Sequence, residues 1–192
     1  MTALLAISRA IDTLLRVVAH AGAWFFIACI STICFDVITR KFGFQLNIGG
    51  VDLGSTRLQE LEWHFHGALF LTWLGYAYIK NAHVRIDVLT GGLSKRKQAG
   101  LELLGCFIFA LPYLAVAVPY AWDFLALSYA QNESSNAPTG LPYRWIIKAF
   151  LFSGMVSIAA AVLSVAIKNF VVLFGSPDDA ERALVGSTKS AH

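Results

Sequence analysis

The sequence predicts an all-α integral membrane protein with four transmembrane helices and both termini in the cytoplasm. Hydrophobic residues make up 57% of the chain and charged residues 14%, and the mean hydropathy is +0.62. These values are typical of membrane proteins and not of soluble domains. Each spanning helix needs about 20 mainly apolar residues, so a chain of 192 residues has room for a few spans. One compact membrane domain over residues 1–175 follows.

Four apolar runs give the predicted spans. In chain order they cover about residues 17–37, 58–79, 101–127 and 145–174. Thr56 and Gln59 open the second with the pattern of a capping box. Pro112 and Pro119 predict a kink or tilt of the third, because proline removes backbone donors. The fourth is longer than the bilayer is thick, so it must tilt or protrude. Residues 176–192 are polar and small, which predicts a loosely ordered cytoplasmic tail.

The distribution of lysine and arginine sets the orientation, because positively charged loops stay on the cytoplasmic side during insertion. With four spans, the two termini and the middle loop share one side of the membrane. That side carries ten of the fifteen basic residues: Arg9, Arg16, Lys80, Arg85, Lys95, Arg96, Lys97, Lys168, Arg182 and Lys189. We therefore predict that this side is the cytoplasm. The net charge of +3 is explained by the same rule and indicates no nucleic-acid partner.

Charged residues at the helix ends are the candidate functional residues of the opposite, outer side. They are Asp36, Arg40, Glu60, Asp123, Arg144 and Lys148. Ions at a membrane boundary are costly unless they are paired, so we expect cross-helix ion pairs there. Arg144 and Lys148 lie four residues apart and share a helix face. For Lys148, extension of the side chain to the lipid headgroups is an open alternative.

Histidines raise the alternative of a haem or quinone site in a membrane anchor of a redox complex. His20 and His83 lie at the same predicted depth and could form a ligand pair. His64 and His66 are two positions apart on a helix, so they point about 200° apart and cannot bind one ion together. His83 lies in a polar turn, where a hydrogen-bonded histidine is the more common role.

Enzymatic and metal-binding motifs do not occur in this sequence. It has no phosphate-binding loop, nucleophile elbow or zinc-helix motif. Cys29, Cys34 and Cys106 lie inside apolar runs without the spacing of a metal site. The sequence therefore predicts neither an enzyme nor a metal centre.

A short polar run between two apolar stretches indicates the family. His83-Val84-Arg85-Ile86-Asp87 follows the second span, Gln59-Glu60-Leu61 opens it, Gly75 lies within it and Arg40 follows the first span. This combination, over residues 34–93, resembles the small membrane subunit (DctQ-type) of tripartite ATP-independent periplasmic (TRAP) transporters. The later run 140–148 is similar to the longer members of that family. The extended first outer loop, 43–55, departs from it.

The resemblance implies a bacterial secondary transporter of the inner membrane. In that family a periplasmic binding protein delivers an organic acid or similar solute to a two-subunit membrane complex, and a sodium gradient drives uptake. The large subunit holds the substrate and sodium sites and moves by an elevator motion, while the small subunit is a fixed scaffold. The expected partners are therefore the large subunit, the binding protein and membrane lipid, with no substrate-binding residue and no cofactor in this chain.

The resemblance also implies roles for single residues. Glu60 and Arg40 are expected to brace the helices or to meet the binding protein. His83, Arg85 and Asp87 match the family's cytoplasmic turn. We expect Arg85 and Asp87 to fix that turn by bonding to neighbouring loop backbone or to the large subunit.

Overall fold

The computed structural model of the chain describes residues 1–43, 47–48, 51–52, 55–82 and 92–188. Its described part is almost entirely helical. The elements are α1 (Thr2–Gly22), α2 (Trp24–Phe42), β1 (Asn47–Ile48), β2 (Val51–Asp52), α3 (Ser55–Ile79), α4 (Lys95–Gly105), a π-helical segment (Cys106–Ala110), α5 (Leu111–Ala130), α6 (Trp145–Phe174) and α7 (Pro177–Thr188).

α1 and α2 form one nearly continuous helical rod. Ala23, which joins them, itself has a right-handed helical conformation with φ −59° and ψ −27°. The rod ends at Gly43, whose φ of 67° gives a left-handed cap and whose N–H bonds to the carbonyl of Thr39. The 41 residues extend over roughly 60 Å, about twice the thickness of a hydrocarbon core.

The predicted first span, 17–37, therefore covers only part of this rod. Arg9 and Arg16 interrupt the hydropathy of α1, but both are exposed and leave its packing face intact. The buried residues of that face recur at helical spacing: Leu5, Ser8, Leu15, Ala19 and Gly22. Charge on one side of a helix lowers its mean hydropathy without ending the helix.

α6 is the central helix of the bundle and contacts α1, α3, α4, α5 and α7. Glycines allow α3 and α6 to approach closely, because a Cβ at Gly75 would lie 2.6 Å from the carbonyl oxygen of Ser157 and one at Gly154 only 3.1 Å from that of Leu71. These small residues pack the helices of this chain against each other. Gly105 has no such neighbour within 4 Å.

A π-helical segment interrupts the third long helix just before Pro112, one of the two prolines at which a kink or tilt is predicted. Leu111 donates its N–H to the carbonyl of Cys106, five residues earlier. Pro112 explains this local change, because it lacks an N–H and its ring would clash with the carbonyl of Ile108 in a regular α-helix. Pro119 lies inside α5 without interrupting it.

Three helical segments of the described chain are long and apolar enough to cross a membrane: 2–42, 95–130 and 145–174. The last has the predicted bounds of the fourth span. α3 lies where the second span, 58–79, was predicted, but it is not among the three because Glu60, Glu62 and two histidines dilute its apolar character. The protein is thus a helical membrane protein, and the crossing by α3 stays a prediction.

The prediction of a loosely ordered tail from residue 176 is wrong for the residues that form α7. Ser176 caps this helix: its hydroxyl accepts the backbone N–H of Asp179 at 3.3 Å and donates to the carboxylate of Asp179 at 3.0 Å. Pro177 occupies the first turn, where its missing N–H has no cost. Ala183, which is 3% exposed, packs α7 against Leu5 of α1 and Val171 of α6.

The segment between α2 and α3, which the sequence predicts to be an extended outer loop, contains a short antiparallel pairing. Asn47 of β1 lies opposite Asp52 of β2, and Ile48 lies opposite Val51. β1 and β2 form a two-stranded antiparallel sheet.

Candidate functional site

Polar side chains converge where the beginning of α3, the α5–α6 connection and the beginning of α6 meet. We call this group the polar cluster. It consists of Glu60, Glu133, Ser135, Arg144 and Lys148. Three of its members, Glu60, Arg144 and Lys148, were predicted as candidates from the sequence.

Glu60 is the centre of the polar cluster and is buried, with 8% of its surface exposed. One carboxylate oxygen accepts a hydrogen bond from the hydroxyl of Ser135, and the other accepts the backbone N–H of Leu141 at 2.6 Å. A guanidinium nitrogen of Arg144 lies 3.8 Å from the first oxygen. A Cβ at Gly140 would lie 2.9 Å from that oxygen, so glycine leaves the room that the carboxylate needs. Glu60 thus fixes the α5–α6 connection onto α3.

Two backbone hydrogen bonds join the two sides of the α5–α6 connection. The N–H of Ser135 bonds to the carbonyl of Leu141 at 3.0 Å, and the N–H of Arg144 bonds to the carbonyl of Glu133 at 2.9 Å. Tyr143 has a φ of 63°, an uncommon conformation for a residue with a side chain. These bonds place Arg144 beside α3, where its guanidinium carbon is 5.9 Å from the centre of the ring of Trp63.

Lys148 pairs within the chain. Its ammonium group binds the carboxylate of Glu133, and the same nitrogen lies 3.6 Å from the ring centre of Phe124, a cation–π arrangement. The Lys148 side chain is 12% exposed. Of the two alternatives for Lys148, the structure contains the ion pair. The hydrogen bond from Lys148 lowers the pKa of Glu133 below its ordinary value.

The Glu133–Lys148 pair predicts a pH dependence of stability. Since the folded-state pKa of Glu133 is lowered, its contribution is present above the ordinary glutamate pKa and is lost as the pH falls through the folded-state pKa. Wild type should be more stable than Glu133→Gln by about 1 kcal/mol at neutral pH, as for other partly exposed pairs. The difference should vanish in strong acid. Unfolding in mixed detergent micelles at a series of pH values measures it, and a pH-independent difference would contradict this account.

The other charges predicted for the outer side meet the ion-pair prediction only in part. The pair between Glu60 and Arg144 joins two helices, as predicted. Asp36 is 1% exposed and pairs with Arg40 one turn further along α2, so this ion pair lies within one helix. Asp123 is exposed and has no ion pair with any other residue in the described part of the chain.

The candidates of the polar turn, His83, Arg85 and Asp87, lie outside the described residues. Their proposed role in fixing the turn after α3 stays a prediction. The nearest described residue before them is Ala82, whose N–H bonds to the carbonyl of Ala77 at 3.0 Å and closes the end of α3.

A second polar network joins α1 to α6 and was missed in the sequence. The hydroxyls of Ser8 and Ser164 lie 2.8 Å apart, and Ser164 donates to the carboxylate of Asp12 at 2.6 Å. Lys168 binds the other oxygen of Asp12. The available signal was the repeated spacing of four residues, which places Ser8 with Asp12 and Ser164 with Lys168 on matching helix faces.

The polar cluster and the α1–α6 polar network each join secondary-structure elements of this chain to each other, in a bundle of apolar helices. This arrangement defines a helical membrane protein whose polar side chains serve packing. The model of the family described as "Tripartite ATP-independent periplasmic transporters, DctQ component" matches residues 30–172. The chain belongs to this family, which confirms the resemblance in the sequence. Comparisons with curated proteins and with solved structures found no match.

The family match extends from the middle of α2 to near the end of α6 and includes the whole polar cluster. It is a family of transporter components, not of enzymes. The redox-anchor alternative finds no support in it. His20 instead places its Nδ1 2.7 Å from the carbonyl oxygen of Arg16 in its own helix.

Proposed function

We propose that this protein is the small scaffold subunit of a TRAP secondary transporter in the bacterial inner membrane. It packs beside a large elevator-type subunit for sodium-driven uptake of an organic acid or similar solute, which a periplasmic binding protein delivers. The family match carries this proposal. Substrate and sodium sites belong to the large subunit, and this chain needs no cofactor.

The packing of the chain supports a static role. An elevator domain needs a neighbour that resists deformation as it moves. α3 and α6 are held together by close backbone contact at Gly75, by the polar cluster at one end, and through α1 by the Asp12–Lys168 pair. Packed interiors and paired buried charges deform little, so this bundle suits a scaffold.

A surface for the large subunit is offered by α3. A row of side chains at helical spacing is exposed along this helix: Trp63, His66, Phe70 and Trp73. The last three of them, together with Ala23 and Phe26 of the α1–α2 rod, line an open apolar cavity of about 500 Å³. Aromatic side chains of this kind provide large contact areas.

The position of His66 indicates that this surface contacts protein and not lipid. Its side chain is exposed and has no hydrogen-bond partner within the part of the chain described. It lies roughly 9 Å along α3 from Glu60 at about 1.5 Å per residue, well inside the predicted span. A polar ring in lipid lacks a partner, and such residues usually face protein. We propose that a helix of the large subunit with a hydrogen-bonding side chain covers it.

Co-purification tests the scaffold function. The tagged chain is isolated from its native membrane in mild detergent, and whatever accompanies it is identified by mass spectrometry. A large polytopic membrane protein at equal stoichiometry is the expected result. Recovery of a flavoprotein or an iron–sulfur subunit would overturn the proposal in favour of a redox complex.

A variant pair tests the α3 surface separately. His66→Leu removes the hydrogen-bonding ring from the exposed row, whereas Leu101→Ala changes an exposed apolar residue of α4. We expect His66→Leu to reduce recovery of the large subunit and Leu101→Ala to leave it unchanged. Normal recovery with both variants would exclude this face while leaving the scaffold function in place.

The proposed topology has four spans, with α3 as the second, and both termini in the cytoplasm. Green fluorescent protein fused to either terminus should then fluoresce, and alkaline phosphatase fused within the α5–α6 connection should be active in the periplasm. If α3 does not cross, the three remaining spans place the two termini on opposite sides. A fluorescent fusion at only one terminus would therefore contradict the four-span arrangement.

A further inference from the structure

A cavity of about 230 Å³ lies where α1, α6 and α7 meet. Four cationic side chains line it: Arg9, Arg16, Lys168 and Arg182. The carboxylate of Asp12 is the only acidic group among its described lining residues. The cavity therefore has an excess of positive charge.

The negative charge of Asp12 does not neutralise the positive charges of the three arginines. Asp12 is already bound by Lys168 and by the hydroxyl of Ser164. The side chains of Arg9, Arg16 and Arg182 have no hydrogen-bond or ion-pair partner among the residues that the structure describes. Three guanidinium groups thus remain available for an anion, and guanidinium groups match phosphate in geometry and charge.

The walls of the cavity are fixed by packing. Ala183, next to Arg182, is buried against Leu5 and Val171, so α7 holds Arg182 beside α1. The Asp12–Lys168 pair joins α1 to α6 on another side. These contacts fix the backbone around the cavity, so an anion has to order only the exposed side chains of Arg9, Arg16 and Arg182, which limits the cost of binding.

The surroundings indicate a lipid as the source of the anion. Arg16 directly precedes the first apolar run, which places the cavity at the level of the lipid headgroups in the predicted topology. Val17, which follows Arg16 in the chain, is 60% exposed, so exposed apolar surface of α1 begins one residue after the last cationic residue of the cavity on that helix. A free phosphate would use only the charges, whereas a phospholipid uses both features.

We propose that this cavity binds the phosphate of an anionic phospholipid. The site holds α1, α6 and α7 to the headgroup region of one leaflet. It does not depend on the identity of the transported solute or on the large subunit.

Native mass spectrometry of the full chain in mild detergent tests the proposal. Phosphatidylglycerol is added as the anionic lipid, phosphatidylethanolamine as the zwitterionic lipid, and inorganic phosphate alone as the free anion. The variant Arg9→Gln/Arg16→Gln removes two cavity charges. The matched control Lys95→Gln/Lys97→Gln removes two exposed charges of α4 that do not line this cavity.

Wild type and control should retain phosphatidylglycerol in preference to phosphatidylethanolamine. Each basic residue near a membrane surface contributes roughly fivefold in affinity, so the arginine variant should bind phosphatidylglycerol about 25-fold more weakly. Equal binding of the two lipids, or equal loss in variant and control, would overturn the proposal. Retention of inorganic phosphate by wild type with no preference for phosphatidylglycerol would overturn the lipid as occupant.

Discussion

Replacing Glu60 by alanine is expected to lower the free energy of unfolding by about 3 kcal/mol, the size typical of breaking a buried charged pair from one side. The substitution removes the acceptor for the hydroxyl of Ser135 and for the N–H of Leu141. It also leaves the guanidinium of Arg144, whose Nε already lacks a partner in the described structure, without its carboxylate. Equilibrium unfolding of the purified protein in mixed detergent micelles measures the loss.

Glu62→Ala is the matched control for this prediction. Glu62 lies two residues away on α3, is half-buried, and its carboxylate has no hydrogen bond or ion pair within the described residues. It should change stability by less than about 0.5 kcal/mol, as for other sites of this kind. Equal losses of unfolding free energy for the two variants would contradict this account. They would mean that the negative charge of α3, and not the specific bonds of Glu60, stabilises the α5–α6 connection.

Glu60→Gln separates charge from hydrogen bonding. The amide oxygen of glutamine can still accept one of the two hydrogen bonds, so part of the stability should remain. Arg144 would still lose its ionic partner. We therefore expect a stability between those of wild type and Glu60→Ala, and values equal to wild type would show that the ion pair contributes nothing measurable.

The long apolar helices could be predicted from the sequence because a run of about 20 apolar residues is the main requirement for crossing a bilayer. α6 begins and ends where its apolar run does. The start of α1 could not be found in that way, since Arg9 and Arg16 end the apolar run but lie on the exposed side of a helix that continues. Periodicity, and not mean hydropathy, carries that information.

α7 was missed although its signal was present. Ser176 followed by Pro177 and two aspartates is the sequence of a helix start, with a capping hydroxyl and acidic residues in the first turn. The polar composition of the segment suggested disorder instead. Its stability as a helix comes from Ala183, a small residue whose contact with α1 and α6 only the fold reveals.

Three of the five residues of the polar cluster could be predicted from the sequence. Glu60, Arg144 and Lys148 stand out because charge is rare at the ends of apolar helices. Their partners Glu133 and Ser135 lie in an irregular connection, where no periodic pattern tells which side chain meets which helix. Sequence spacing therefore identified the charges of the helices and missed what the connection supplies.

Gly75→Ala is expected to destabilise the protein by about 1–3 kcal/mol, the usual cost of overpacking an interior. The added Cβ would lie 2.6 Å from the carbonyl oxygen of Ser157, a backbone atom of α6 that cannot rotate away. α3 and α6 must then separate or slide along each other. Because α6 contacts most of the other helices, that displacement would also spread to the packing of α1 and α5.

Gly105→Ala gives this prediction its sharpest control, because it makes the same chemical change in a helix with no neighbour within 4 Å of the new Cβ. Alanine there should be neutral or stabilising by up to about 1 kcal/mol, since it favours the helix over the unfolded chain. Unfolding in mixed micelles should thus move in opposite directions for the two variants. Similar destabilisation by both would mean that helix flexibility, and not close contact of α3 with α6, explains the glycines. Destabilisation at Gly75 alone would establish that the close contact of α3 with α6 stabilises the helical bundle.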